Sequence, residues 1–310
     1  MRSGKSGDGE QLVFHNTETA FEKSTVTEEV GCLSLPDLVW IRVRVSMRRL
    51  LQSLRLPFRR ACSMDKACST FAKSSPSDVK VVSFDAMDTI IAMDEPFNKV
   101  YARIASDYGI DVHPADIASC FPKYMKDLSH NHPCFGFGSI GHFEWWKRIV
   151  IGCLQEGCST PIDREKGDRI ANGLYDYYAT ASAWRIVDPK LKSVLDQLRQ
   201  NGLGVVVVSN FDGRLKEILQ HLDLYHLFDM VVISGEVGVE KPNPKIFEIV
   251  LDHYHLPNAC QLLHIGDNFE KDYQAARDFG ARALLFDPLL VNQDVPSTDR
   301  ITSFSELNLH

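Results

Sequence analysis

The chain has 310 residues, 44% of them hydrophobic and 24% charged, with a formal net charge of -7. That composition is ordinary for a soluble globular protein, the acidic balance leaves no electrostatic footprint for nucleic acid, and no run reaches the ~18 apolar residues of a membrane span. Eight cysteines (32, 62, 68, 120, 134, 153, 158 and 260) form no Cys-x-x-Cys pair, so they read as reduced intracellular thiols and not as a disulfide framework.

Residues 1–40 are polar and lack an apolar period, the pattern of a segment that cannot bury a core. Residues 41–60 hold seven arginines and no acidic residue, interleaved with Leu50, Leu51, Leu54 and Leu56. An Arg-rich, acid-poor amphipathic stretch has the make-up of a mitochondrial transit peptide if Met47 is a start; otherwise it is a solvated basic linker. The expectation is an N-terminal extension over 1–78, with a cytoplasmic or mitochondrial location.

Val81-Val82-Ser83-Phe84-Asp85 reads as a buried strand of a parallel sheet that ends in a carboxylate. From 93 to 185 the pattern is helical, with helices expected over 95–108, 114–129, 142–155 and 164–180 and many aromatic residues at helical spacing. The loop Ser129–Gly138 carries His130, His132 and Cys134 but lacks the carboxylate or second thiol that would complete a metal site. It reads as a surface loop or as one facing a substrate.

Beyond Pro189, strands alternate with helices. Strands are expected at 203–208, 230–234, 261–265 and 281–286, and helices at 189–200, 212–224, 244–254 and 269–279. Such alternation implies a parallel sheet. Strand 81–85 must join it, since alone it buries neither face. The predicted fold is therefore α/β: a Rossmann-like core of 79–92 plus 186–300, with an all-helical segment, 93–185, inserted after the first strand.

Four strands lead into polar residues: Asp85; Ser209 and Asn210; Lys241; and Asp267 with Asp272. Parallel strands share a direction, so these ends meet at one rim, where open α/β sheets bind ligands. Three carboxylates at one point repel one another, and a hard cation such as Mg²⁺ relieves that. A carboxylate can act as nucleophile toward phosphorus through an aspartyl-phosphate. A hydroxyl and a lysine can hold and screen phosphoryl oxygens.

The segments Asp85-Ala-Met-Asp-Thr89, Val-Val-Ser209-Asn210, Lys241-Pro-Asn-Pro and Gly-Asp267-x-x-x-x-Asp272 resemble, in that order, the four motifs of the haloacid dehalogenase superfamily over roughly 79–290. The resemblance implies a nucleophilic, metal-binding Asp85 and a metal-binding backbone carbonyl at Met87. It implies phosphate binding by Ser209, Asn210 and Lys241, and Mg²⁺ binding by Asp267 and Asp272. The helical insert resembles a cap of the family's first type.

One position departs from the pattern. Family phosphatases carry a second Asp two residues after the nucleophile as general acid and base. Here that residue is Met87, and a thioether cannot protonate a leaving group. The expected activity is hydrolysis of a small phosphorylated metabolite, weakened by Met87. The alternatives are a catalytically impaired binding or scaffold module, and a dehalogenase or phosphonatase-like enzyme. A phosphonatase would need a Schiff-base lysine, for which Lys123, Lys126 and Lys147 are available.

Overall fold

A computed structural model of the chain describes residues 78–307. The basic stretch 41–60, and with it the targeting expectation, lies outside the described residues. Among the described residues no helix is long and apolar enough to cross a membrane.

The strands are β1 (Val81–Phe84), β2 (Ile91–Met93), β3 (Trp184–Ile186), β4 (Gly204–Ser209), β5 (Met230–Ile233), β6 (Leu262–Gly266), β7 (Arg282–Phe286) and β8 (Arg300–Ile301). Six of them form one sheet in the order β5-β4-β1-β6-β7-β8, paired in parallel throughout. The β-branched runs Val81-Val82 and Val205–Val208 build its centre and are fully buried, as both-face coverage of a parallel sheet demands. Alternate residues separate the faces. Val82 and Phe84 pack with Val205, Val207 and Leu195 on one side; Val81, Val206 and Val208 pack with Ile246, Phe247 and Ala276 on the other.

The chain runs from β1 outward to β4 and β5, then returns past β1 to β6 and continues the other way. Neighbouring strands β1 and β6 therefore lead into connections that diverge. Their carboxyl ends mark a topological switch point, the usual ligand position of such sheets.

The helices between β2 and β3 are Phe97–Asp107, Pro114–Asn131, His142–Gly157 and Arg164–Tyr177. They pack on one another around Ile117, Trp145, Ile149, Leu154 and Ile170, all buried. Two start at side-chain caps: His113 accepts the N–H of Ala115, and Asp163 accepts that of Lys166. The chain leaves for this segment and returns from it through an antiparallel ribbon, β2 with β3, which the sequence reading did not anticipate.

Two expected helices take a different form. The helix expected over 212–224 spans only Leu215–His221, because the Asp212 side chain accepts the N–H of Arg214 and holds that stretch as a turn. The helix expected over 269–279 is a π-helical turn, Phe269–Gln274, followed by Ala275–Phe279.

Candidate active site

The rim at β1 and β6 collects the polar residues that the sequence singled out. Asp85 follows β1 directly, and its N–H still bonds Ile265 of β6. Lys241 reaches in from the loop after β5, with a side chain only 1% exposed. Its ammonium group donates to Asp85 Oδ1 at 2.8 Å, to Asp272 Oδ1 at 2.6 Å and to the carbonyl of Val208 at 2.7 Å. Three donors thus meet three acceptors, which a buried cation requires.

The turn after β6 is shaped by its own residues. Asn268 Oδ1 accepts the N–H groups of Glu270 and Lys271, and the Asn268 N–H donates to Asp272 Oδ2 at 2.9 Å. Gly266 makes the fit possible: a Cβ there would stand 2.2 Å from Cγ of Asp272. Thr89 Oγ1 reaches Asp267 Oδ1 at 3.4 Å. Ligand atoms of Asp85, Asp267 and Asp272 lie within 4.8 Å of one another, and among the described residues no other group of His, Cys, Asp and Glu side chains does so.

Electrostatics divides these acids. Burial pushes Asp85 above the usual carboxylate range, Lys241 opposes that shift, and the charge on Asp272 adds to it. Asp272 is buried too, which alone would raise it, but the charge of Lys241 and the hydrogen bond from His264 hold it well below the usual range. Lys241 stays cationic because Asp272 and Asp85 outweigh the cost of its burial. A pair of carboxylates facing one ammonium leaves a residual negative charge, the situation in which a divalent cation is welcome.

Ser209 ends β4, and its hydroxyl is buried with no hydrogen-bond partner. Its place, next to the Val208 carbonyl that holds Lys241, leaves this hydroxyl free to bind a group that the protein alone does not supply. The Asn210 side chain is already engaged: its Nδ2 donates to the carbonyl of Lys241 and its Oδ1 accepts the Lys241 N–H, both at 2.8 Å. It holds the backbone that carries the lysine. Met87 is half-buried and packs on the core cluster, and the next residue, Asp88, turns through a left-handed conformation (φ 57°).

Two features escaped the sequence reading. Ser83 Oγ bonds His264 Nδ1 at 2.8 Å, and His264 Nε2 reaches Asp272 Oδ1 at 3.2 Å. His264 is wholly buried and neutral, its basicity lowered by burial and by Lys241. Its Nε2–H therefore faces the carboxylate while Nδ1 accepts from Ser83. The spacing of Ser83 two residues before Asp85, on the same face of β1, was the available signal. The loop His130–Cys134 gathers no ligand set; instead Cys134 is buried, and the turn Pro133–Gly136 lies against Ser234–Val237. Lys123 and Lys147 are ion-paired with Glu156 and Asp168.

The central strands β4, β1 and β6, the three carboxylates at one rim and the buried lysine stand together in one segment of the chain, and that segment is matched by a family of hydrolases. The family model for haloacid dehalogenase-like hydrolases matches residues 79–280, and the chain belongs to that family. It is 30% identical over 235 residues to haloacid dehalogenase-like hydrolase domain-containing protein 3 of Mus musculus, across 74% of this chain and 92% of the mouse protein. Its fold is similar to a 2-haloacid dehalogenase from Pseudomonas syringae pv. Tomato (TM-score 0.54, 19% identity, 74% of this chain and 96% of the other). It is also similar to the HAD-hydrolase YfnB of Bacillus subtilis, solved bound to magnesium (TM-score 0.57, 17% identity, 74% of this chain and 96% of the other).

Proposed function

We propose that this hydrolase is a Mg²⁺-dependent phosphatase of a small phosphorylated metabolite. The observation that carries the reading is the orphaned, buried Ser209 hydroxyl, one residue beyond the carbonyl to which Lys241 is bonded. A phosphoryl oxygen seated there would satisfy that hydroxyl and be screened by the lysine. Asp85 acts as nucleophile: its carboxylate oxygen bonds to phosphorus, the bond to the leaving oxygen breaks, and water later cleaves the aspartyl-phosphate. Asp85, Asp267, Asp272 and the carbonyl of Met87 are the groups for Mg²⁺, which supplies charge neutralisation at the phosphoryl oxygens. Asn210 contributes by fixing the backbone of Lys241, and Asp272 with His264 keeps the ammonium aimed at Asp85. The segment 93–185 serves as a cap that excludes water from this rim.

The expected result is release of phosphate from an aryl phosphate by the full chain in Mg²⁺, abolished by a chelator and by Asp85→Asn. Equal rates in wild type and Asp85→Asn would sink the reading. Met87→Asp restores an acid two residues after the nucleophile and speeds hydrolysis of poor leaving groups, by up to about 10²-fold. A second reading, cleavage of a carbon–halogen bond, is favoured by Met87 alone, since a halide needs no proton. Dehalogenation that survives chelation would select it.

A further inference from the structure

The loop that would hold the phosphoryl group does not stop at Asn210. Two residues on, Asp212 is fully buried. Its Oδ1 accepts the Arg214 N–H at 3.0 Å and Arg214 Nε at 2.9 Å, and its Oδ2 accepts Arg214 Nη2 at 2.7 Å. The last acceptor position on Oδ2 is filled from the helical insert, by Trp146 Nε1 at 2.7 Å. The same insert covers the guanidinium. Arg214 lies 4.1 Å from the Tyr175 ring centroid and 5.5 Å from that of Trp146, and its Nη1 reaches the Tyr175 carbonyl at 3.3 Å. A core ion pair is therefore dry only while the insert is seated on it. The hydrogen bond that closes its shell runs to the loop bearing Ser209.

A second contact works beside the first. Phe137 lies so close over Gly238 that a Cβ there would meet its Cε1 at 2.4 Å. Phe135, at φ 57°, rests its ring against Trp145 and Trp146. The insert thus touches both core loops flanking the rim.

We propose that Trp146 is a positioning residue: its indole N–H latches the insert to the phosphate loop through Asp212, so that filling the Ser209 site and seating the insert favour each other. This rests on the phosphatase and cap readings above. The coupling follows from linkage. A ligand that orders residues 209–212 stabilises whichever insert position that ordered loop holds best, and the reverse is equally true. Lifting the insert gives up two hydrogen bonds at this ion pair, Trp146 to Asp212 and Arg214 to the Tyr175 carbonyl; removing the first, a bond to a charged acceptor, is worth roughly tenfold or more in an equilibrium.

Amide hydrogen exchange on the full chain tests this without requiring turnover. Trp146→Phe removes the N–H donor while keeping one aromatic ring against Phe135 and Trp145, and leaves Asp212 held by Arg214. The expected result is exchange about tenfold faster in 133–146 and 234–241, unchanged in helix Pro114–Asn131. Inorganic phosphate with Mg²⁺ should slow exchange at 133–146 in wild type and fail to do so in Trp146→Phe. Tyr175→Phe retains the ring beneath Arg214 and removes only the hydroxyl bonded to His142, so it should leave exchange in 234–241 and phosphate protection as in wild type. The proposal is overturned by unchanged exchange in Trp146→Phe. It is equally overturned by a uniform rise across the insert, by a Tyr175→Phe pattern matching Trp146→Phe, or by undiminished phosphate protection in the variant. Absence of aryl-phosphatase activity with this exchange pattern intact would count against the phosphatase reading alone.

Discussion

Asp212 and Asp272 are buried carboxylates that nonetheless keep their charge. Burial works against each, and Arg214 for Asp212 and Lys241 for Asp272 more than offset it, so both are held below the ordinary carboxylate range. The sign for stability follows. A depressed carboxylate contributes stability above its unfolded value of about 3.9 and loses it as pH falls toward the folded value. Thermal melts should therefore show a steep loss of stability below about pH 4. Asp212→Asn should lower the melting temperature at pH 7 and make that acid limb shallower. An unchanged limb would mean that the Asp212–Arg214 pair adds no net stability. At this scale the sequence was half legible. Asp85, Lys241, Asp267 and Asp272 announced themselves because each follows an apolar strand. Ser83, His264 and Trp146 did not, because their partners are 181, 8 and 66 residues away and a period of 2 or 3.6 carries no record of such pairs.

Among the elements, the turn Ser234–Val237 and its left-handed Gly238 (φ 71°) shape the floor beneath the insert. Gly238→Ala would place a methyl group inside the ring of Phe137 on a backbone that disfavours side chains. The expected cost is about 1–2 kcal/mol by urea unfolding, from the left-handed penalty plus the displacement of the half-exposed Phe137 ring. Adding Phe137→Ala should recover the steric part and leave about 1 kcal/mol. A double variant as unstable as the single one would show that the ring is not the obstacle. Long elements were readable: the valine run of β4 and the four insert helices fall where apolar spacing puts them. The ribbon β2–β3 and strand β8, three and two residues long, are too short to show any period and exist only through their partners.

Across the whole molecule, the cluster of negative charge sits between β1 and β6, the two strands whose connections diverge. A cation held by Asp85 and Asp267 would tie those strand ends together. Mg²⁺ at a hundred times its dissociation constant stabilises a folded chain by about 2.7 kcal/mol, or roughly 5–10 °C in melting temperature. That rise should vanish in Asp267→Asn and persist in Trp146→Phe, which leaves all three carboxylates in place. A rise of equal size in Asp267→Asn would move the cation elsewhere.

The pairing of β1 has a further consequence during synthesis. Val81 finds its two neighbours in Gly204 and Leu262, more than 120 and 180 positions later. On the ribosome, the strand leading into Asp85 emerges before its partner strands and must wait, apolar and unpaired, while the helices that follow it can already close on their local contacts. Its far face is sealed later still, when Phe304 stacks on Phe286 and edges onto Phe84. A nascent chain halted before that aromatic plug should hold a folded helical bundle beside an unfinished sheet, and should be the form most in need of chaperones.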